Sequence, residues 1–543
     1  MEKYLRQRGL VNQHKLMSKQ ILVSGSANGV GELVVLLMQL GFADKAGSIG
    51  IIKPKEIPNS VFWKLMFNSP TSWEEWQYQM KISEKSIELL PANYLDNEEK
   101  EVSFNNWDIH LTLESAKGKI GDVNGFVNGI KGLITGKNIS TYYGDIHDFE
   151  PMNDHPIHSS MRTIVAATLV NEALKQLNLK TSVPVSDVWL TVTCRVESTD
   201  LEFVRAHVKG LEGILLDVTL SHDDLATIAR YRYPLKNDID KYDLIEVSTQ
   251  NAILEKEIDV GFIPWAGAIE DSNPLIIPQT ANICVLGMGG LGSWATPLIC
   301  EAIEDGEITI IDGDEEIDIH NLNRQVIFSD SNIGSAKSEV AKQRLSSLFP
   351  QLSIKPHMTF FNRYHLEKSS PDGIDINEIF DNIVGTNLKP QESINSETNQ
   401  DEEIRKALVS SDVYLGCLDN MQARTLLNEA ALINDIPMIN GGSESIHGIV
   451  ERLYDEGCMV CRYGKEAANL SEVISCTEEG VRPISSIVTT TAWVGSMMAA
   501  ITILELAGSS IQKKKRFSWS DGEISSSKVG KPPWFDEECI HHI

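Results

Sequence analysis

Apolar runs short enough for buried strands alternate with stretches of helical periodicity along this chain, most clearly over residues 283–314. The apolar run 283–286 leads into the loop Gly287-Met-Gly-Gly-Leu-Gly292, a helix-compatible stretch follows, and the strand-like run 308–311 ends on Asp312. Glycines let the backbone approach a phosphate at a helix N-terminus, and an acid about 20 residues later meets ribose hydroxyls. The pattern predicts a nucleotide-binding βαβ unit.

A second, degenerate copy of the pattern lies near the start of the chain. The apolar run 20–24 leads into a glycine loop at 25–31, a helical stretch at 32–40 and a strand-like run at 48–52. Lys53 stands where the ribose-binding acid is expected, and an ammonium has no acceptor for ribose hydroxyls. We expect the first half to be a nucleotide-binding fold that has lost its nucleotide; an unrelated Rossmann-like domain is the alternative.

The whole pattern predicts an α/β protein with two Rossmann-like halves and a small α+β insertion between them. Residues 161–177 have helical apolar spacing and close the first domain, while 187–196, 213–220 and 223–233 suggest the insertion. A proline-punctuated linker at 235–279 follows. We expect three regions, residues 1–178, 179–277 and 278–543.

One uncharged segment, residues 484–504, is long enough to span a bilayer. Ser485, Ser486 and three threonines at 489–491 dilute its apolar character, and no second such segment exists in the sequence. We therefore expect a helix buried against the sheet or at a domain interface.

Composition narrows the classes of partner. The net charge of −28 argues against nucleic acid or an anionic membrane as the main partner. The first residues contain no apolar signal region, and eight scattered cysteines do not form a disulfide framework. A cytoplasmic protein, monomeric or homodimeric, is expected.

The residues downstream of the second glycine loop redirect the prediction from a dinucleotide to ATP. Arg324 and Lys337 are cations placed just past the nucleotide site, where dehydrogenases do not need them. A carboxylate that attacks the α-phosphate of ATP is an anion approaching an anion, so the site must supply positive charge. Asp419 ends another buried strand and would hold Mg²⁺ against the triphosphate.

In these motifs, residues 278–543 resemble the adenylating domain of ubiquitin-activating enzymes and of the related ThiF/MoeB/HesA-type adenylyltransferases. The matching pieces are the glycine loop, Asp312-Gly-Asp314, Asn321-Leu-Asn-Arg-Gln325, Lys337 and Leu418-Asp-Asn420 with Arg424. The resemblance implies ATP cradled by the loop glycines Gly287, Gly289, Gly290 and Gly292, with Asp312 at the ribose and Asn321, Arg324, Gln325 and Lys337 at the phosphates. It also implies that Asp314, in the same matching motif, helps to bind the nucleotide. It also implies Mg²⁺ on Asp419.

The opening motif Tyr4-Leu-Arg-Gln7 also resembles the family. There, the resemblance implies, the arginine reaches from one half into the ATP site of the other, and Arg6 is the matching residue. Its guanidinium would neutralise phosphate charge in the manner of an arginine finger. The chain therefore resembles an inactive partner fused to an active one.

Cysteines in the second half suggest two further sites. Cys458-Met-Val-Cys461 and Cys539-Ile-His-His542 allow a tetrahedral zinc site, with His541 as an alternative to His542. Cys476 resembles the thiol that accepts the activated carbonyl in some family members, although relatives that only adenylate can also have a cysteine there, and Glu478 and Glu479 disfavour a thiolate.

The resulting functional prediction is ATP-dependent adenylation of the C-terminal carboxylate of a small ubiquitin-like β-grasp protein, followed by thioester transfer to Cys476. A conjugating enzyme is a further candidate partner. Activation of a sulfur-carrier protein, or of a peptide in natural-product biosynthesis, is the alternative within enzymes. A nucleotide-binding scaffold is the non-enzyme alternative.

Overall fold

The computed structural model describes sixteen stretches of the chain, and every structural statement below concerns these residues. They are 2–94, 107–113, 123–126, 133–134, 158–180, 188–196, 200–209, 214–215, 260–264, 278, 280–362, 365–366, 399–453, 459–463, 485–508 and 515–528. Residues up to 277 are called the first half below, and residues from 278 onward the second half.

The first half begins with a 3₁₀ helix and then alternates strands and helices. The 3₁₀ helix is Glu2–Gln7. The helices are α1 (Gln13–Leu16), α2 (Ala27–Leu40), α3 (Val61–Phe67), α4 (Trp73–Ile82) and α5 (His158–Gln176). The strands are β1 (Gln20–Gly25), β2 (Ser48–Ile52), β3 (Ile87–Leu90), β4 (Ile109–Leu113), β5 (Val123–Phe126), β6 (Leu133–Ile134), β7 (Val188–Val196), β8 (Asp200–Lys209), β9 (Ile214–Leu215) and β10 (Val260–Pro264).

The second half follows the same alternation. Its helices are α6 (Gly292–Ala302), α7 (Lys337–Leu348), α8 (Asn399–Ser410), α9 (Met421–Asn434), α10 (Met459–Tyr463) and α11 (Val488–Leu506), with 3₁₀ turns at Ile319–Asn321 and Asp330–Asn332. Its strands are β11 (Thr280–Leu286), β12 (Asp305–Ile311), β13 (Leu352–His357), β14 (Val413–Gly416), β15 (Met438–Glu444), β16 (His447–Leu453), β17 (Lys515–Ser520) and β18 (Glu523–Lys528).

Each half is built on an eight-stranded sheet. The orders are β3-β2-β1-β4-β5-β7-β8-β10 and β13-β12-β11-β14-β15-β16-β17-β18. Strands β1 and β11 each lie between two parallel neighbours, and in both sheets the far end is antiparallel. The strand order therefore reverses beside β1 and beside β11, which is where open parallel sheets form their ligand crevice.

The sheet of the first half takes in strands that were expected to form a separate insertion. Strand β7 pairs in parallel with β5 and antiparallel with β8, and β10 pairs antiparallel with β8. Strand β10 lies inside the predicted linker 235–279, so that part of the prediction was wrong. Its apolar Val-Gly-Phe-Ile run has the side chains of a strand, but the surrounding prolines favoured a linker.

Two long helices, α5 and α11, hold the halves together. They pack against each other, and one continuous hydrophobic core includes residues of both halves. Lys180 pairs with Asp521 across this junction, and the Asn171 amide donates to the Asp521 carbonyl at 2.8 Å. Helix α11 is apolar and long enough to cross a membrane, but 94% of its most apolar 18-residue stretch is buried inside the protein. The prediction of a buried helix rather than a membrane span is confirmed, although the helix begins at Val488.

Candidate active site

The glycine loop after β11 is as tight as its sequence predicts. Gly287 has φ +91°, and a side-chain carbon there would lie 2.5 Å from the carbonyl oxygen of Cys417. A side-chain carbon at Gly292 would lie 2.1 Å from the carbonyl oxygen of Gly287. Both positions therefore require glycine, because the end of β14 and the start of α6 press against the loop.

Asp312, at the end of β12, ties the glycine loop to the next segment. One carboxylate oxygen accepts from the backbone N–H of Met288 at 2.6 Å, and the other accepts from that of Asp314 at 2.9 Å. The residue is only 8% exposed, and burial raises its pKa while Lys337 opposes that shift. A carboxylate has about four acceptor sites, so two protein contacts leave capacity for ribose hydroxyls.

Lys337 begins α7, and its ammonium lies against the segment that follows Asp312. It forms an ion pair with Asp314, and its backbone N–H donates to the Asp314 carbonyl at 3.2 Å. The lysine side chain is 7% exposed and the aspartate side chain 48%. A largely buried ammonium with one exposed carboxylate partner can exchange that partner for a phosphate.

Arg324 lies over the glycine loop. Its Nη1 donates to the His320 carbonyl at 2.7 Å and to Asn323 Oδ1 at 3.1 Å. Its Nε lies 3.9 Å from where a side-chain carbon on Gly290 would stand. The Trp294 indole donates to the Arg324 carbonyl at 2.8 Å, which fixes the backbone that carries the guanidinium.

Asn321 and Gln325 form an amide pair beside the loop. The Gln325 amide nitrogen donates to Asn321 Oδ1 at 3.1 Å and lies near Gly289. Gln325 Oε1 is buried and has no hydrogen-bond partner in the described part of the chain. A buried acceptor without a donor is costly, and a ligand that brings one would relieve it. Together with the glycine cradle, this arrangement fits a nucleotide.

Arg6 reaches this site from the first half. Its side chain is 6% exposed, and its carbonyl accepts from the backbone N–H of Ser486 at 2.7 Å. The pKa of His320 is lowered by burial first, and then by the positive charges of Arg6, Arg324 and Lys337. Asp318, 3.8 Å from the His320 ring, opposes this shift. The 3₁₀ helix that carries Arg6 packs against the turn Ile319–Asn321, which brings Arg6 into the same region as the other two cations.

Asp419 lies at the carboxyl edge of the second sheet, where the sequence predicted it. It is exposed and follows β14, and the Asn420 amide donates to it at 3.2 Å. Arg424 fixes the preceding turn by donating to the Leu418 carbonyl and to Asn440 Oδ1. Mg²⁺ commonly takes one or two carboxylates and completes its shell with phosphate oxygens and water, so a single exposed aspartate fits it.

Residues 278–523 match the model of the ThiF family. The second half, most of which this match covers, is called the ThiF-family domain below. The parallel part of its Rossmann-like sheet carries the glycine loop, Asp312 and Asp419.

Curated proteins that are similar to the ThiF-family domain are named as adenylyltransferases. The chain is 28% identical to the adenylyltransferase and sulfurtransferase UBA4 of Lodderomyces elongisporus over 52% of this chain and 55% of that protein. It is 25% identical to the molybdopterin-synthase adenylyltransferase of Escherichia coli K12 over 42% of this chain and 74% of the relative. E. coli MccB with ATP is 21% identical over 48% of this chain and 66% of that chain, at a TM-score of 0.34.

Several predicted residues of the ThiF-family domain lie outside the described residues. These are the proposed thiol acceptor and most of the proposed zinc ligands: Cys476, Cys458, Cys539, His541 and His542. Cys461 lies on α10, but its side chain is not described. The zinc site and the role of Cys476 stay predictions. By contrast, Cys284, Cys300 and Cys417 are buried in the structure, and burial raises the pKa of each thiol.

The described residues of the first half have no matching cluster of cations at their own glycine loop. Lys53 stands where the ribose-binding acid is expected, and its ammonium lies 3.7 Å from the Glu74 carboxylate. Helices α3 and α4, which follow β2 as the phosphate-contacting segment follows β12, pack an aromatic cluster of Trp63, Phe67, Trp73 and Trp76, with centroids 4.4–6.0 Å apart. Sequence reasoning missed this cluster, although three tryptophans within 14 residues were visible in the sequence.

Proposed function

We propose that the ThiF-family domain uses ATP to adenylate the C-terminal carboxylate of a small ubiquitin-like or sulfur-carrier protein. A carboxylate oxygen attacks the α-phosphorus, and the bond to the bridging oxygen of the β-phosphate breaks. The products are an acyl-adenylate and pyrophosphate. Because attacker, target and leaving group are all anionic, the site must supply cations at the phosphates.

The observation that carries this proposal is the convergence of Arg6, Arg324 and Lys337 beside the glycine loop. The 3₁₀ helix that carries Arg6 packs against the turn Ile319–Asn321. Arg324 lies over Gly290, and Lys337 pairs with Asp314. In agreement with this placement, each of the three cations lowers the pKa of His320. Each is at most 7% exposed, where charge is poorly screened by water. A hydride-transfer site has no use for three buried cations beside its phosphates, whereas phosphoryl chemistry does.

The relatives' names support a small protein as the substrate. They include a molybdopterin-synthase adenylyltransferase, a SAMP-activating enzyme and an adenylyltransferase for the sulfur carrier protein ThiS. A basic partner surface would also suit the net charge of −28.

Two further elements belong to the proposal. The first half is an inactive adenylation-like partner, supported by its matching strand order, by Lys53 and by the tryptophans on α3 and α4. A second step transfers the acyl group to Cys476: the thiolate attacks the acyl carbon and AMP leaves. Direct sulfur transfer from the adenylate, without that thioester, is the alternative fate.

The test is ATP–pyrophosphate exchange with purified β-grasp proteins that end in Gly-Gly. Exchange should require one such protein and magnesium, and it should be lost when the two terminal glycines are deleted. Lys337→Ala should abolish it, because the ammonium at the phosphates is removed. ATP binding without exchange across the panel would instead support the nucleotide-binding scaffold.

A further inference from the structure

The loop that follows β13 presents an aromatic ring to solvent. Phe360 is 69% exposed, more than any other large hydrophobic side chain in the described stretches, and Met358 beside it is 47% exposed. Exposing a phenylalanine gives up the free energy that its burial would contribute. A single exposed apolar residue is ordinary by itself, so the neighbours of the ring decide its meaning.

The Phe360 ring lies against the backbone of Gly313, next to the acid proposed to bind the ribose. A side-chain carbon on Gly313 would lie 2.5 Å from Cγ and Cδ1 of Phe360 and 2.7 Å from Cδ2. Gly313 directly follows Asp312. The parallel strands β12 and β13 bring the two segments together, since Ile311 is paired with His357 and the Asp312 N–H donates to the His357 carbonyl at 3.1 Å.

Hydrogen bonds hold the backbone of the loop that carries the ring. The Asn362 side chain donates to the Phe360 carbonyl at 3.2 Å, and the Asn362 N–H donates to His365 Nδ1 at 3.0 Å. Burial lowers the pKa of His365, and its other nitrogen lies 3.2 Å from Asp401. Phe361 stacks on the His365 ring at 5.5 Å with an interplanar angle of 9°. The two adjacent aromatics therefore differ: Phe361 packs inward and Phe360 is held outward.

We propose that Phe360 stacks on the base of the bound nucleotide and makes the site prefer a purine. This inference rests on the proposed function, which places the ribose at Asp312. A nucleotide bound there has its triphosphate over the glycine loop, so the base must extend to the other side of the ribose. Gly313 and Phe360 are the next groups along that edge. Stacking strength grows with the overlapping ring area, which favours a purine over a pyrimidine.

Isothermal titration with three ligands tests the assignment: ATP, UTP and inorganic triphosphate, which has no base. Phe360→Ala should weaken ATP about 5- to 30-fold, UTP less, and triphosphate by less than about twofold. Phe360→Trp should restore ATP affinity. Tyr78→Ala is the matched control, since Tyr78 is an aromatic residue 66% exposed on α4 of the first half.

Gly313→Ala supplies an independent arm, because the added methyl would displace the ring. It should weaken ATP in the wild type and have little further effect in Phe360→Ala. Unchanged ATP affinity in Phe360→Ala would overturn the inference, and so would equal losses for ATP and triphosphate. If the wild type bound triphosphate but gained nothing from the base, the stacking role would fail while the phosphate site stood. If it bound no ligand, the proposed function would fail as well.

Discussion

Arg6→Ala should slow adenylate formation strongly while leaving the fold and most of the ATP affinity in place. The arginine is buried although it is the sixth residue of the chain. Its backbone carbonyl, which the substitution keeps, still accepts from Ser486. The change therefore removes the guanidinium from the phosphate region and retains the docking of the chain start.

The size of the effect follows from what remains. Removing one preorganised donor from a transition state costs about 10²–10³ in rate, and arginine fingers reach about 10³–10⁵. Arg324 and Lys337 would still face the phosphates, so we expect the lower range, about 10²–10³ in the exchange rate. ATP binds before the charge moves, and its Kd should change by less than about fivefold.

The assay is pyrophosphate exchange at saturating ATP, with ATP affinity and melting temperature measured on the same preparations. Arg8→Ala is the matched control, because Arg8 is exposed only two residues away. Arg6→Lys keeps the charge without the planar fork and should recover part of the rate. As an independent readout, the pKa of His320 should rise in Arg6→Ala, since the arginine lowers it. Exchange within about twofold of wild type, or equal losses in Arg8→Ala, would refute the reasoning.

The two halves lead to three further predictions. Titration should find one ATP per chain, and Asp312→Ala should abolish binding while Lys53→Ala leaves it intact; two comparable sites would contradict the degenerate first half. A covalent adduct with the partner protein should form without reductant, vanish with thiol and be absent in Cys476→Ala, which should retain exchange; an adduct in that variant would exclude this acceptor. His110 is buried 2.7 Å from the Ser24 hydroxyl, and burial lowers its pKa to about 4. The unfolded histidine protonates near pH 6.5 and the folded one only near 4, so stability should fall by up to about 3 kcal/mol as pH drops through that window. Urea unfolding at about pH 7 and about pH 4.5 should show this loss in the wild type and a smaller loss in His110→Gln.

The placement of most candidate site residues at one edge of the sheet could be predicted from the sequence, because its determinants are local. The glycine loop, Asp312 and Lys337 lie within about 50 residues of one another, on one βαβ unit and the helix that follows it. Glycines and charges at these spacings are typical of a phosphate site. Asp419 followed from the rule that acids at strand ends meet at one edge. Arg6 required a resemblance, because no local pattern links residue 6 to residue 324.

Features decided by tertiary contact were beyond the sequence. Strand β10 is short and bounded by proline, and only its partner β8 makes it a strand. Lys180 and Asp521 are far apart in the chain, and nothing near either one predicts a buried pair. Phe360 belongs to no motif. Only the structure shows that Phe361 packs against His365 while the adjacent Phe360 is exposed.

The contacts of the chain start give the first half a use that does not depend on a nucleotide. The Gln7 side chain donates to the Leu40 carbonyl at 3.1 Å, and the Tyr4 hydroxyl donates to Asp44 at 2.5 Å. Both acceptors lie at or just beyond the end of α2, so the first half fixes the 3₁₀ helix from which Arg6 extends. The Asn323 amide contacts Gln7 at 3.4 Å from the other side. Tryptophans can therefore pack on α3 and α4 without affecting the proposed catalysis in the second half, provided that α2 keeps its position. For this reason, substitutions that loosen the end of α2 should reduce adenylation through Arg6, although they lie in the half that we propose to be inactive.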